Sequence, residues 1–357
     1  MKTNHLLSLV VAALATFATP TTGSAIATFL SAPSRVDVEI DNLKIVYIAS
    51  GSSVLRYNSI AATYLTPWNL GGSLRGMDIS PDGQYLAVAD STTQGAQNRV
   101  FVVALATGVV NTISFPLASN ESGTFTTAWA GDGSLLVSSS FAGSGWVPLR
   151  KVNVATGTST VLASVRQNSM LTPSQDRKTV AIAESNISSG PVSYYNSLTG
   201  TVVAGVNTNW FDFEVGVSRD GTEFAVPTYG GTFIYNRAFQ QIATLGTYAS
   251  QGPISAVFSP VANVLYTAWY SFDFASADIR AFDASTFAEI VRYPVQGQFN
   301  WSGNAAFQEG RIKLSDDGRL LAVTVDGGVS VVNVPEPSAL LLAASAAALL
   351  LTRRRKI

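Results

Sequence analysis

One short stretch recurs along this chain and limits what it can fold into: a polar turn followed by an apolar run. Its clearest copy is Ser80-Pro81-Asp82-Gly83-Gln84-Tyr85-Leu86-Ala87-Val88-Ala89. Asp-Gly makes a tight turn with little strain, because glycine tolerates positive φ and the aspartate can bond its own backbone. The run from Tyr85 to Val88 then suits a short strand buried on both faces. Residues 131–137, 174–182, 218–226 and 315–323 repeat the pattern. Residues 41–49 carry a worn copy with Asn42 at the aspartate position, and residues 259–266 one that has lost the Asp-Gly pair.

The aspartate-equivalent positions are 42, 82, 132, 176, 220, 261 and 317, so successive units are 40, 50, 44, 44, 41 and 56 residues apart. Self-similarity at this period points to propeller blades of four strands each. Two more strand signals follow the copies at 80–89, 131–137 and 174–182, split by Ala106-Thr107-Gly108, Ala155-Thr156-Gly157 and Leu198-Thr199-Gly200. A strand before the Asp-Gly turn, such as Gly76-Met77-Asp78-Ile79, completes four. After the last copy only one strand signal remains, residues 328–333, so the seventh blade lacks its outermost strand. The spare apolar run Ile26-Ala27-Thr28-Phe29-Leu30 can supply it and close the ring without an open edge. The expectation is an all-β, seven-bladed propeller over residues 28–334, closed by residues 26–30.

The rhythm of Ser-Pro-Asp-Gly, strand and Thr-Gly turn resembles the YVTN and WD-repeat-like propeller families, the former more closely. The resemblance covers about residues 26 to 334 and speaks to fold, not to function.

Residues 1–27 read as a secretory signal peptide: Lys2 at the start, an apolar stretch from Leu6 to Ala18, and Ala25-Ile26-Ala27 as a small-x-small cleavage site. Gly23-Ser24-Ala25 gives an alternative cleavage after Ala25, and a buried N-terminal helix is the competing reading of the segment. His5 is the only histidine and there is no cysteine, so a chain without its leader has neither. That excludes a disulfide framework, most zinc sites, thiolate or His-assisted catalysis, and His-ligated haem. No metal site or cofactor is expected. Charged residues make up only 13% of the chain. Outside Lys2, Glu336 and the four basic residues at 353–356, acids exceed bases by five. No basic face for nucleic acid is implied.

After the last strand come Pro335-Glu336-Pro337, a run from Ala339 to Leu351 that is apolar apart from Ser345, and the cluster Arg353-Arg354-Arg355-Lys356. As a helix this run measures roughly 21 Å, short of the ~30 Å hydrocarbon core. It is marginal as a permanent anchor but suits transient membrane contact through residues 339–352. The tail closely resembles the PEP-CTERM sorting signal, with Pro335, Glu336 and Pro337 as the motif and Arg353, Arg354 and Arg355 in the basic end. The resemblance implies an exosortase-type membrane enzyme as processing partner. It also implies export to the envelope, surface or extracellular matrix of a Gram-negative, exopolysaccharide-producing bacterium. A simple tail anchor is the alternative.

In such a propeller the Asp-Gly turns share one rim. The loops of the opposite rim hold Trp68, Trp146, Trp210, Phe211, Tyr270, Phe272, Phe274, Tyr293, Phe299 and Trp301. Flat aromatic faces can stack on sugar rings, and neighbouring Ser, Asn and Gln can bond hydroxyls. Trp68, Trp146, Trp210, Phe211, Phe299 and Trp301 are therefore candidate ligand-binding residues on a module for exopolysaccharide or surface proteins. Capping of the blade cores is the competing role, and Trp129 and Trp269, inside strands, read as core. The carboxylates Asp212, Glu214, Asp273 and Asp278 fall near the same rim and read as solvated surface charge. A carboxylate-dependent glycan-active or lactonase-like enzyme is the alternative function.

Overall fold

A computed structural model describes residues 21–22, 27–246, 251–271, 277–299 and 310–335. Seven antiparallel sheets form the blades, spanning residues 35–69, 74–116, 121–166, 170–207, 216–245, 251–294 and 312–333. Each of the first six runs from an inner strand A to an outer strand D in chain order. Thr21–Thr22 adds a short parallel pairing to the outer strand Glu289–Pro294 of blade 6.

Blade 7 supplies only three strands of its own. Ala27–Ser31 takes the outer place, paired antiparallel with Gly328–Asn333 from Ala27 opposite Val332 to Ser31 opposite Gly328. The ring closes as expected, one residue later than residues 26–30. Ala27, read above as the end of the leader, is the first residue of this strand and is buried. Cleavage after Ala25 leaves the strand whole.

The repeat produces this architecture through one hydrogen-bonded device. In blade 2 the Ser80 hydroxyl donates to Asp82 Oδ1 at 2.5 Å and accepts from Tyr85 N–H at 2.9 Å. Asp82 Oδ1 also accepts from Gln84 N–H at 3.0 Å. Gly83 turns the corner at φ +68°. The same Ser-to-Asp bond recurs at Ser174–Asp176, Ser218–Asp220 and Ser315–Asp317. The turns aim the next strand into the sheet, where Tyr85–Asp90 is buried at every position but the first.

Between blades, each sheet lays one face on its neighbour. At the closure, Leu30, Val329 and Val331 pack with Val38, Val46 and Ile48 of blade 1. Trp129 and Trp269 are buried, as their strand positions implied. Because the strands of a blade alternate in direction, the A–B and C–D turns share one rim. The B–C loops and the links between blades share the other.

Candidate functional site

The inner strands alternate apolar and charged residues, and this directs charge into the central channel. In Arg35–Ile40 the alternation is Val36, Val38 and Ile40 against Asp37 and Glu39. In blade 7, Arg311 and Lys313 alternate with Ile312 and Leu314. Arg311 Nε donates to Glu214 Oε1 at 2.9 Å, and its Nη2 lies 3.4 Å from Asp37 Oδ2. Lys313 Nζ is 3.0 Å from Glu39 Oε1 and 3.9 Å from Glu214 Oε1. Asp37 Oδ2 also accepts from Met77 N–H of blade 2 at 2.7 Å. Arg177, held at φ +59° in the blade 4 turn, reaches Asp78 of blade 2 and donates to Ile79 O at 3.0 Å.

Burial raises the Asp37 carboxyl above its usual range, against the pull of Arg311 and Lys313. Burial pushes Glu39 up to about 8, opposed by Lys313 and reinforced by Asp78 and Asp37. At the Asp-Gly end the channel opens into a cavity of about 320 Å³, lined by Glu39, Asp78, Arg177, Glu214 and Lys313 among others. Their charges are spent on one another, so the cluster works as a clamp between blades. The sequence reading missed it, although the period-2 alternation of charge inside apolar strands was a visible signal.

The opposite rim holds the aromatic residues, and the structure divides them. Phe299 is 1% exposed within a core cluster, together with Tyr270 and Tyr293, so it offers no face to a ligand. Trp68 belongs to outer strand Thr63–Asn69 and is half-buried, stacked on Tyr47 at 5.5 Å with the Arg56 guanidinium 4.2 Å from its ring centre. Packing claims Trp68 within its own blade and Phe299 within the core cluster that joins blades 6 and 7. Phe211 is half-buried against Phe213 and Tyr229, at 5.8 and 6.0 Å between ring centres. Phe272, Phe274, Trp301 and Asp273 lie outside the described residues, as do Glu336, Pro337 and the arginines 353–355.

Trp146 and Trp210 remain open, 56% and 43% exposed. One loop joins their surroundings. The Arg166 guanidinium sits 5.0 Å from the Trp146 ring centre, and its Nε donates to Asn186 O in the B–C loop of blade 4. That loop turns through the bond from Gly190 N–H to Ile187 O at 3.1 Å. Beyond it, Thr208 donates to Asp212 Oδ1 at 2.6 Å and accepts from Trp210 N–H at 3.2 Å. The Trp210 ring rests on Gly230, where an added Cβ would stand 3.0 Å from indole Cε2. The result is a shelf with an indole at each end and loop amides and hydroxyls between.

Asp212 sits beneath Trp210. It is wholly buried, and its Oδ2 has no hydrogen-bond partner. Burial pushes its carboxyl up to about 8, opposed only by Thr208. Glu214 is likewise buried, in the channel clamp. The expectation of solvated surface carboxylates fails at both positions, because both lie where the chain dives from the rim into blade 5. Asp278 keeps partial exposure, beside Arg280. Among the described residues, no group of three or more His, Cys, Asp or Glu side chains is arranged to hold a metal ion.

No family model matches this chain. No curated protein matches it either. Among solved structures it is similar to a chain of the "Crystal Structure of Mitotic Checkpoint Complex", at 14% identity and a TM-score of 0.65, covering 94% of this chain and 99% of that one. It is also similar to a chain of "Kuenenia stuttgartiensis Hydrazine Synthase", at 15% identity and a TM-score of 0.64, covering 86% and 97%. At such identities the likeness concerns the propeller fold alone.

Proposed function

We propose that this protein is an exported binding module whose ligand sits on the loop rim, across Trp146 and Trp210. The observation that carries the reading is the exposure of these two indoles on either side of the 184–190 loop, each braced from behind by Arg166 or Gly230. Among the described aromatics on the loop rim, Phe299, Tyr270 and Tyr293 are packed away while these two indoles keep open faces. Two flat rings flanking hydroxyls and amides suit a polysaccharide.

Export and sorting rest on the sequence at both ends: the leader of residues 1–27 and the tail with Pro335, Glu336, Pro337 and Arg353, Arg354, Arg355. Their likeness to a signal peptide and a PEP-CTERM signal supports membrane insertion, processing by an exosortase-type enzyme, and delivery to the surface or matrix of a Gram-negative cell. A non-catalytic role fits Asp212 better than an enzymatic one, since a wholly buried carboxyl cannot touch a substrate while the loop holds its place.

The test is a binding screen against polysaccharides, including the host's own matrix. Trp146→Ala and Trp210→Ala should each weaken saturable binding about tenfold, or about 1.4 kcal/mol. Unchanged affinity in both folded variants would end the shelf reading.

A further inference from the structure

The two rims differ in where the chain leaves and in what their turns expose. The last strand, Gly328–Asn333, ends with Asn333 opposite Leu320, directly after the Asp317-Gly318 turn. The chain therefore departs through Val334 and Pro335 on the Asp-Gly rim. The closing strand begins on the same rim, because Ala27 pairs with Val332. Both apolar segments of the sequence, Leu6 to Ala18 and Ala339 to Leu351, are thus joined to the body at one rim.

The tether on the C-terminal side is short. Pro335, Glu336, Pro337 and Ser338 separate the body from the apolar run, and four residues reach at most roughly 14 Å. Strand B of blade 2 has six residues and strand D of blade 3 nine, so the rims stand roughly 20–30 Å apart. A chain embedded through residues 339–351 cannot turn its loop rim to the same bilayer. Its Asp-Gly rim must lie at the surface.

That rim is also the one with apolar tips. Leu43, Ile60, Val109, Leu198 and Val261 each occupy a turn there and are between 54% and 77% exposed. They come from blades 1, 2, 4 and 6, and so spread around the ring. Three ion pairs also lie on that rim, Lys44 with Asp317, Lys151 with Asp132 and Lys178 with Asp176. On the loop rim, Trp146 and Trp210 are the exposed large apolar side chains among the described residues.

We propose that the Asp-Gly rim is a membrane-docking face: a lipid bilayer receives its apolar turn tips while the tail is inserted, and the tryptophan shelf points away from the membrane. This rests on the tail's membrane contact, part of the functional reading above. Docking through a few apolar tips is weak alone, and the tail converts it into an intramolecular event. It would present the shelf to the outside and the tail to a membrane-bound processing enzyme at once.

The absence of cysteine makes a clean test possible. In the full chain, single cysteines at Leu43→Cys, Ile60→Cys, Leu198→Cys or Val261→Cys report the Asp-Gly rim, and Thr93→Cys or Ser188→Cys the loop rim. Each is labelled with a polarity-sensitive fluorophore and reconstituted into phosphatidylcholine–phosphatidylglycerol vesicles carrying a lipid-borne quencher. The expected result is blue-shifted emission that loses most of its intensity to the quencher at the four turn sites, with neither change at Thr93 or Ser188. Flotation of the same vesicles reads tail insertion separately. Protein that floats but is quenched equally at both rims, more at the loop rim, or at neither, overturns the docking face and leaves the tail reading standing. Protein that does not float overturns both. Four turn sites guard against one substitution that disturbs its turn.

Discussion

At the scale of single residues, Asp212 is the most informative side chain. Its carboxyl is buried with one oxygen unpartnered, and burial pushes its pKa up to about 8. The folded state therefore holds this proton more tightly than the unfolded chain, where the value is near 3.8. Its contribution to stability is complete below about pH 4 and drains away as pH rises through about 8, by at most about 1.4 kcal/mol per pH unit. Asp37 and Glu39 shift the same way, so wild-type stability should decline across neutral pH. Asp212→Asn keeps the shape and removes one proton from the linkage. Denaturant titrations from pH 4 to 9 should give a shallower decline for the variant, and parallel curves would show that Asp212 is ionised at neutrality. None of this was legible in the sequence. A carboxylate in a polar loop reads as solvated, and only the fold buries it between Thr208 and Gly190. The aromatics follow the same logic. Trp129 and Trp269 could be assigned to the core because they sit inside apolar strand signals, whereas Phe299 and Trp68 stand in polar stretches that read as loop, and only the fold supplies their packing partners.

At the scale of the element, the Ser-x-Asp-Gly turn and the closing strand were both readable, for a shared reason. Each solves a local problem whose solution uses few residue types. The turn needs an acceptor for two backbone N–H groups and a residue at positive φ, and Ser, Asp and Gly supply them. Where glycine is missing, Arg177 takes the strained conformation, and its guanidinium gains Asp78 across the channel. The closing strand was legible by subtraction, because a three-stranded last blade leaves an edge that something must cover. Its register makes a sharp prediction. Leu30 is 2% exposed and packs on blade 1, whereas Thr28 on the same strand faces solvent. Leu30→Ala should cost about 2–5 kcal/mol and Thr28→Ala under about 0.5 kcal/mol, read as shifts in denaturant midpoint at constant slope. Equal effects would mean that this strand does not close the ring in solution.

At the scale of the whole molecule, a ring without disulfides holds its first and last blades together by more than one strand pairing. Arg311 opens blade 7, pairs with Glu214 at the entry to blade 5, and lies 3.4 Å from Asp37 of blade 1. All three are at most 2% exposed. Burying three charges is expensive, and their attraction offsets the desolvation only while all are present. Arg311→Met therefore does more than remove a bond. It leaves Asp37 and Glu214 buried together without the cation they share, with Lys313 as the remaining counter-charge. The expected loss is about 3–5 kcal/mol. Because the clamp ties distant parts of the ring, the loss should appear as one cooperative transition at lower denaturant rather than as a separate early phase. Adding Glu214→Gln to Arg311→Met should recover part of it, since fewer buried charges then stand unpaired. A double variant less stable than the single would mean that Glu214 is held mainly by Ile312 N–H, which donates to its Oε2 at 3.0 Å, and that the clamp contributes little to closure.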